Sequence, residues 1–265
     1  MTAIKLAIFG ATGRMGQTVT RLAAQSRSVT VVGAIDSATS PNLGRDVGEV
    51  AGAGTLGVAV GADVASGLLG ADVVIDFSTA GAVDALLRSA AHADVAVVSG
   101  TTRLSPESLT LLERAATKVP VLWAPNMSLG VHLLAELVRR AVQALGDYDV
   151  EVVEAHHNKK TDAPSGTATF LVQAAERGRE GLIPVHGREG DVGARRREEI
   201  GVHAVRGGGI VGDHTVHLVG EFDRLELTHR AMSRELFAAG ALRAARWIVG
   251  RPAGRYELAQ VIAGE

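Results

Sequence analysis

Residues 154–168 bring together the side chains of this chain that are best suited to chemistry. His156 and His157 are followed by Lys159 and Lys160, and the stretch ends in the run Pro-Ser-Gly-Thr-Ala. Burying several cationic groups together costs several kcal/mol unless they are paired. A cluster this basic therefore needs either solvent or an anionic ligand, and a small polyacid would satisfy it.

Two of these residues are candidate proton donors. The ammonium of Lys160 can donate a proton, and the imidazole of His156 can act as an acid or a base. They are four positions apart but follow a predicted strand, so a tight loop must bring them together. The alternative interpretation is a solvated basic loop with surface histidines.

The same stretch also offers a place for an anion. Residues 164–167 turn into a predicted helix, whose first N–H groups and the Thr167 hydroxyl suit a carboxylate. A zinc site is less plausible, because adjacent histidines rarely bind one metal and neither HExxH nor a cysteine pair is present. We predict no metal.

A second candidate site follows the first predicted strand. Residues 10–16 read Gly-Ala-Thr-Gly-Arg-Met-Gly, and such glycines allow a tight turn, close approach of a pyrophosphate and close helix packing. A purely structural glycine turn is the alternative. Asp36 favours the functional interpretation, because it closes the second strand twenty positions after Gly16, where a carboxylate binds the adenosine ribose.

Other residues extend this predicted dinucleotide site. Ser37, not a cation, follows Asp36, so NADH should bind at least as well as NADPH unless Arg14 reaches the 2′-phosphate. Residues 76–79 and 99–102 lie at predicted carboxyl ends of parallel strands, the edge where such sheets bind ligands. The alternative for Ser78 and Thr79 is N-capping of the next helix.

The elements that position these residues fall into two regimes. Up to Trp123, near-continuous apolar runs alternate with helical patterns, which predicts a Rossmann-type, doubly wound parallel α/β domain. The predicted strands are 4–9, 29–35, 73–77, 95–99 and 121–123, and the predicted helices are 14–25, 80–92 and 106–118, the last capped by Ser105.

The pattern changes near Asn126, and the residues that follow predict an α+β domain with a mixed or antiparallel sheet. Its predicted helices are 129–145 and 167–179, and its predicted strands are 149–155, 203–206, 215–219 and 224–228. Residues 177–201 lack periodicity and are predicted to be a mobile loop, and 233–248 forms a last helix. We assign 1–127 to dinucleotide binding, with 237–265 packing back on it, and 128–236 to substrate binding and oligomerisation.

Composition limits the classes of partner. A net charge of -2 from 27 basic and 29 acidic residues gives no case for nucleic acid or an anionic membrane surface. The absence of cysteine excludes disulfides, thiolate metal sites and a cysteine nucleophile. No apolar run is long enough to span a membrane, and the opening Met-Thr-Ala-Ile-Lys lacks export-signal features, so we expect a cytoplasmic protein.

Seven motifs, in order, carry a resemblance to a known family. They are residues 10–16, Asp76-Phe77-Ser78, Gly100-Thr101-Thr102, residues 124–128, residues 154–168, residues 203–206 and residues 237–247. With these motifs, which span nearly the whole chain, the sequence resembles the dihydrodipicolinate (4-hydroxy-tetrahydrodipicolinate) reductases of lysine and diaminopimelate biosynthesis. It departs at Arg103, where glycine often stands, and at Ser37, where many members carry arginine.

The resemblance implies a reaction and a set of roles. Such enzymes reduce the cyclic product of dihydrodipicolinate synthase to tetrahydrodipicolinate, with hydride from NADH or NADPH and loss of water. Lys160 would match the proton donor and His156 the acid/base histidine. A substrate dicarboxylate would be held by His157 and by the N–H groups of Gly166 and Thr167. The implied cofactor contacts are Gly10, Ala11, Thr12, Gly13, Arg14, Met15, Asp36, Gly100, Thr101, Thr102, Ala124, Pro125, Asn126 and Met127.

The resemblance also implies a homotetramer joined through the sheets of the second domain. Two other functions stay open at this point. One is an NAD(P)-dependent dehydrogenase of a different small carboxylic acid, and the other is a catalytically silent dinucleotide-sensing module.

Overall fold

The chain folds into two compact units. The computed structural model describes residues 3–264, so Met1 and Thr2 of the opening stretch lie outside the described residues. One unit ends at Met127 and resumes at Glu235, and the other is Ser128–Arg234. Within residues 3–264, no helix combines the length and the apolar character needed to cross a membrane.

The first unit contains a seven-stranded sheet in which every neighbouring pair is parallel. Its strands are β1 (Ile4–Phe9), β2 (Val29–Ile35), β3 (Val60–Gly61), β4 (Val73–Asp76), β5 (Ala96–Ser99), β6 (Pro120–Trp123) and β12 (Gly254–Tyr256). The spatial order β12-β6-β5-β4-β1-β2-β3 reverses direction at β1, as in Rossmann-type folds. The predicted fold class of this region is confirmed.

Helices accompany that sheet. They are α1 (Arg14–Ala24), α2 (Val47–Ala51), α3 (Val64–Gly67), α4 (Ala80–Ala93), α5 (Pro106–Ala116), α8 (Glu235–Ile248) and α9 (Leu258–Ala263). Ser105 caps α5 as predicted, because its side chain accepts the N–H of Ser108. Helix α8 packs on α1, β4 and β5. The elements α2, α3, β3, β12 and α9 were not predicted, since they are too short to show a period.

The second unit is a five-stranded mixed sheet with two helices. The helices are α6 (Leu129–Ala144) and α7 (Gly166–Gly178), and the strands are β7 (Asp149–His156), β8 (Ile183–His186), β9 (Glu199–Arg206), β10 (Asp213–Val219) and β11 (Arg224–Arg230). The spatial order is β11-β10-β7-β9-β8. Strand β7 is parallel to β9 and antiparallel to β10, which confirms the predicted mixed α+β sheet.

One face of this sheet, here called the inner face, joins α6 and α7 in an apolar core that includes Val150, Val152 and Val216. The opposite face is called the outer face. Because successive strand residues alternate between faces, Glu151 lies on the outer face of β7 and Glu154 on the inner face.

The prediction of a loop through residues 177–201 is wrong in part. The segment contains strand β8, which pairs in parallel with β9, and the start of β9 itself. Arg188 donates to Glu151 at 3.0 and 2.9 Å, and Arg195 donates to Asp149 at 2.6 Å. These pairings join residues about forty positions apart, so no local period reveals them.

Candidate active site

The inner face of β7 changes from core to polar site along its length. Val150 and Val152 lie in the apolar core, and the next two residues on that face are Glu154 and His156. Glu154 is fully buried, and the side chain of His156 is 12% exposed. The Nδ1 atom of His156 lies 2.6 Å from Oε2 of Glu154. The strand thus places a buried carboxylate beside the predicted acid/base histidine.

Three further hydrogen bonds hold that carboxylate. The guanidinium of Arg206, on β9, donates to both oxygens of Glu154 at 2.7 and 2.8 Å, and the N–H of Ser165 donates at 3.0 Å. Burial acts to raise the pKa of Glu154, but the hydrogen bonds from Arg206, His156 and Ser165 outweigh it and lower that pKa. Glu154 is therefore ionised.

A second histidine packs against His156. His214, on β10, is 3% exposed, and the two imidazole rings meet edge to face with centroids 5.1 Å apart. Burial, followed by the charge of His156, lowers the pKa of His214 to about 4. His214 is consequently neutral near pH 7.

Ser165 links this network to the start of α7. Its hydroxyl oxygen accepts the N–H of Ala168 at 3.1 Å, which caps the helix, and lies 2.9 Å from Nε2 of His214. Gly166 and Thr167 are the first two residues of α7. Their N–H groups lie at the positive end of the helix dipole, the position expected to suit an anion.

The turn after β7 carries Lys160. The N–H of Lys160 donates to the carbonyl of His157 at 3.1 Å, which closes the turn. The Nζ atom of Lys160 donates to both oxygens of Asp162 at 2.9 and 2.8 Å. The bond from Lys160 lowers the pKa of Asp162.

The chain itself supplies carboxylates to the basic cluster. We expected solvent or an anionic ligand to balance these cations, and Lys159 is indeed exposed. However, Glu154 pairs with His156 and Asp162 pairs with Lys160. The expectation was incomplete, because it did not count Glu154 and Asp162, two carboxylates of the same stretch, as partners of these cations.

His157 has a cationic neighbour that the sequence analysis missed. Its Nε2 atom lies 3.3 Å from the guanidinium of Arg234. Its Nδ1 atom is buried without a hydrogen-bond partner among residues 3–264.

Among residues 3–264, no group of three or more acidic or histidine side chains is arranged to hold a metal ion.

In the first unit, a pocket of about 420 Å³ lies beside the glycine turn and is lined in part by Gly10, Gly13, Asp36 and Ser37. Asp36 accepts the N–H of Thr12 and the N–H of Ser37, each at 2.7 Å. Each carboxylate oxygen has two lone pairs, so both can also accept from a ribose hydroxyl. The volume falls in the usual range for a small-molecule site.

The glycine turn tolerates no larger residue at two positions. Gly10 has φ +77°, and a Cβ there would lie 2.9 Å from the carbonyl oxygen of Phe77. A Cβ on Gly16 would lie 2.2 Å from the carbonyl oxygen of Gly10. The turn therefore packs backbone against backbone, as a pyrophosphate-binding loop requires. The other predicted contacts here are Ala11 and Thr12 in the turn and Arg14 and Met15 at the start of α1.

The other predicted cofactor contacts follow β5 and β6 at the same sheet edge. Gly100, Thr101 and Thr102 follow β5, and Ala124, Pro125, Asn126 and Met127 follow β6. The indole N–H of Trp123 donates to the carbonyl of Thr101 at 2.8 Å. The Thr101 hydroxyl is buried with no hydrogen-bond partner in residues 3–264, and a bound polar group would supply one.

The alternative interpretation of Ser78 and Thr79 as side-chain caps fails at Thr79. Thr79 occupies the N-cap position of α4, but its side chain makes no capping hydrogen bond. Asp76, at the end of β4, instead accepts the N–H of Ser78 at 2.8 Å and the hydroxyl of Ser99 at 2.6 Å. Taken together, the pocket, Asp36 and the glycine turn fit a dinucleotide.

Comparison with known proteins finds one family over both units. "Dihydrodipicolinate reductase, N-terminus" matches residues 4–127, and "Dihydrodipicolinate reductase, C-terminus" matches residues 130–262. A 4-hydroxy-tetrahydrodipicolinate reductase of Anaeromyxobacter dehalogenans is 47% identical over 263 residues, covering 97% of each chain. One of Methanopyrus kandleri is 47% identical over 267 residues, covering 98% of this chain and 97% of that one.

A solved structure supports the fold. A dipicolinate-bound dihydrodipicolinate reductase from Paenisporosarcina sp. TG-14 superposes with a TM-score of 0.77 at 23% identity. The match covers 97% of this chain and 98% of that one.

Proposed function

Because the chain belongs to the dihydrodipicolinate reductase family, we propose that it reduces 4-hydroxy-tetrahydrodipicolinate to tetrahydrodipicolinate with NADH or NADPH. Its place would be lysine and diaminopimelate biosynthesis. The main support for the proposal is the geometry at the end of β7. There, Nδ1 of His156 lies 2.6 Å from the buried carboxylate of Glu154, and the turn that contains Lys160 follows the strand.

The residues of this site divide the work between proton transfer and substrate binding. Bound NAD(P)H would supply the hydride. Lys160 donates a proton from Nζ, and His156 exchanges a proton through its imidazole. The substrate carboxylates bind at His157 and Arg234, which lie 3.3 Å apart, and at the first N–H groups of α7, from Gly166 and Thr167.

The cofactor would be held by the first unit. Asp36 binds the adenosine ribose, the turn at residues 10–15 faces the pyrophosphate, and residues 100–102 and 124–127 contact the remainder. Since Ser37 supplies no cation for a 2′-phosphate, NADH binds at least as well as NADPH. Steady-state kinetics with both cofactors test this, and a strong preference for NADPH would contradict it.

The decisive experiment is a coupled assay. Dihydrodipicolinate synthase makes the substrate from pyruvate and aspartate semialdehyde, this protein is added with NADH, and cofactor oxidation is followed by absorbance. We expect Lys160→Ala and His156→Ala each to reduce kcat by about 10²- to 10⁴-fold, with NADH affinity retained. No oxidation by the unaltered protein would refute the function, and near-normal kcat in either variant would refute that residue's role.

For the assembly, we propose a homotetramer formed through the outer face of the second unit's sheet. Two apolar side chains of that face, Val205 and Val219, are 48% and 36% exposed. Light scattering should give four times the chain mass of 27.4 kDa, and a monomer would contradict the proposal.

We also propose a cytoplasmic location, which cell fractionation tests.

A further inference from the structure

The two nitrogens of the His156 ring have different surroundings. Nδ1 lies 2.6 Å from Oε2 of Glu154, and Glu154 is fully buried. An ionised carboxylate can only accept hydrogen bonds. Nδ1 must therefore carry the proton, and Nε2 is the nitrogen left to exchange a proton with another group.

The position of Nε2 depends on a glycine in the loop between β9 and β10. A Cβ built on Gly212 would lie 3.0 Å from Nε2 of His156 and 3.4 Å from the adjacent ring carbon. Side-chain carbons rarely approach so closely, so the ring would have to move by a few tenths of an ångström. The ring also meets His214 edge to face at 5.1 Å, which limits how it can move.

We propose that Glu154 and Gly212 are positioning residues for His156, with Glu154 holding Nδ1 and Gly212 leaving the space that Nε2 needs for proton transfer to the substrate. Neither residue needs to touch the substrate. The inference rests on the proposed function, since it concerns the histidine assigned there as the acid/base group.

Gly212→Ala is the better test, because it keeps the charge network intact. Gly212 does not use a left-handed backbone conformation, so its backbone can accept alanine and the added Cβ acts only on the neighbouring rings. Glu154→Gln would instead leave Arg206 without its carboxylate and risks misfolding. Gly209→Ala is a matched control in the same loop, because a Cβ on Gly209 meets nothing within 4 Å.

We expect Gly212→Ala to lower kcat about tenfold, since sub-ångström misplacement of a catalytic group is costly. The KM for substrate and the affinity for NADH should stay within about twofold. Gly209→Ala should keep normal kcat. The proposal is overturned if Gly212→Ala retains kcat within about twofold of normal, or if Gly209→Ala loses as much.

A spectroscopic test separates this inference from the proposed function. In protein labelled with ¹⁵N-histidine, long-range ¹H–¹⁵N spectra should show the Nδ1–H tautomer for His156, identified by its loss in His156→Gln. The His156 signals should shift in Gly212→Ala and not in Gly209→Ala. An Nε2–H tautomer would overturn the inference even in an active enzyme. Inactivity with the expected tautomer would refute only the proposed function.

Discussion

The pocket of the first unit and the β7 site of the second unit are built differently. In the pocket, main-chain groups predominate: the backbone of Gly16 packs on that of Gly10, and Asp36 is held by two backbone N–H groups. In the β7 site, side chains from several elements meet at Glu154. The pocket should therefore be sensitive to added atoms, and the β7 site to lost charges.

The largest effect should come from removing a charge at the β7 site. We expect Arg206→Met to lower the free energy of unfolding by about 3–5 kcal/mol, because the fully buried Glu154 would lose its cation. Arg188→Met is the control, since its partner Glu151 is partly exposed and keeps Arg195 and His203. That variant should lose about 1 kcal/mol or less. Urea unfolding measures both, and equal losses would contradict the contrast.

The next effect should be a loss of stability in acid. The pKa of His214 is about 4 when folded against 6.5 ordinarily, so between these values the unfolded chain binds a proton that the folded chain does not. Above pH 6.5 the titration of His214 therefore does not reduce the free energy of unfolding. As the pH falls from 6.5 towards 4, that free energy decreases by up to about 3 kcal/mol. Burial also lowers the pKa of His229, which acts in the same direction.

Thermal unfolding between pH 7 and 4.5 measures this effect. His214→Gln should flatten the pH dependence, whereas His186→Gln, at an exposed histidine, should leave it unchanged. Between pH 7 and 4.5, Glu151 contributes little to the pH dependence of stability. Folding lowers its pKa from 4.5 to about 2, so the stability that it contributes is lost only below pH 4.5. An unaltered slope in His214→Gln would show that the neutral histidine is not the cause.

A smaller effect should come from adding one carbon to the pocket. Gly16→Ala places a Cβ against the Gly10 carbonyl, so we expect weaker NADH binding and about 1–3 kcal/mol less stability. Gly81→Ala is the control, because a Cβ at this position in α4 has no atom within 4 Å. That variant should raise the free energy of unfolding by up to about 1 kcal/mol. NADH fluorescence titration and urea unfolding provide the readouts. Normal NADH affinity in Gly16→Ala would mean that the turn can relax.

The smallest effect should be on the choice of cofactor. Ser37→Arg adds a cation beside Asp36, and we expect NADPH affinity to improve by about 0.5–1 kcal/mol. Ser37→Gln, which adds length without charge, should leave the ratio of NADPH to NADH affinity unchanged. Competitive titration of the two cofactors measures this ratio. No change in Ser37→Arg would mean that residue 37 does not face the 2′-phosphate.

Much of the first unit could be predicted because its signals are local. Strands β1 and β2 were predicted to the residue, since their apolar runs end abruptly at polar or glycine residues. Asp36 was predicted from its spacing to Gly16, because Gly16 lies in the first turn of α1 and Asp36 directly follows β2, the next strand of the same strand-turn-helix unit. The short elements between residues 47 and 67 were missed, since a single helical turn shows no period.

Less of the β7 site could be predicted because its partners are distant in sequence. The stretch that contains His156 and Lys160 stood out, but Arg206 and His214 meet Glu154 only through strand pairing across about fifty and sixty positions. One local signal was available for Glu154. It stands two positions before His156, and β7 runs one residue past the predicted end at Ala155, so the two side chains share a face.

Glu151 and Glu154 also bear on how the second sheet selects its strand pairing. They are three positions apart on β7 and so occupy opposite faces, Glu151 with Arg188 and Arg195 and Glu154 with Arg206. If β7 slipped by one residue, Glu151 would enter the apolar core and Glu154 would leave Arg206. Burying an unpaired carboxylate costs several kcal/mol. The carboxylates therefore discriminate against misregistered sheets during folding, and the charge that orients His156 also helps to specify the topology around it.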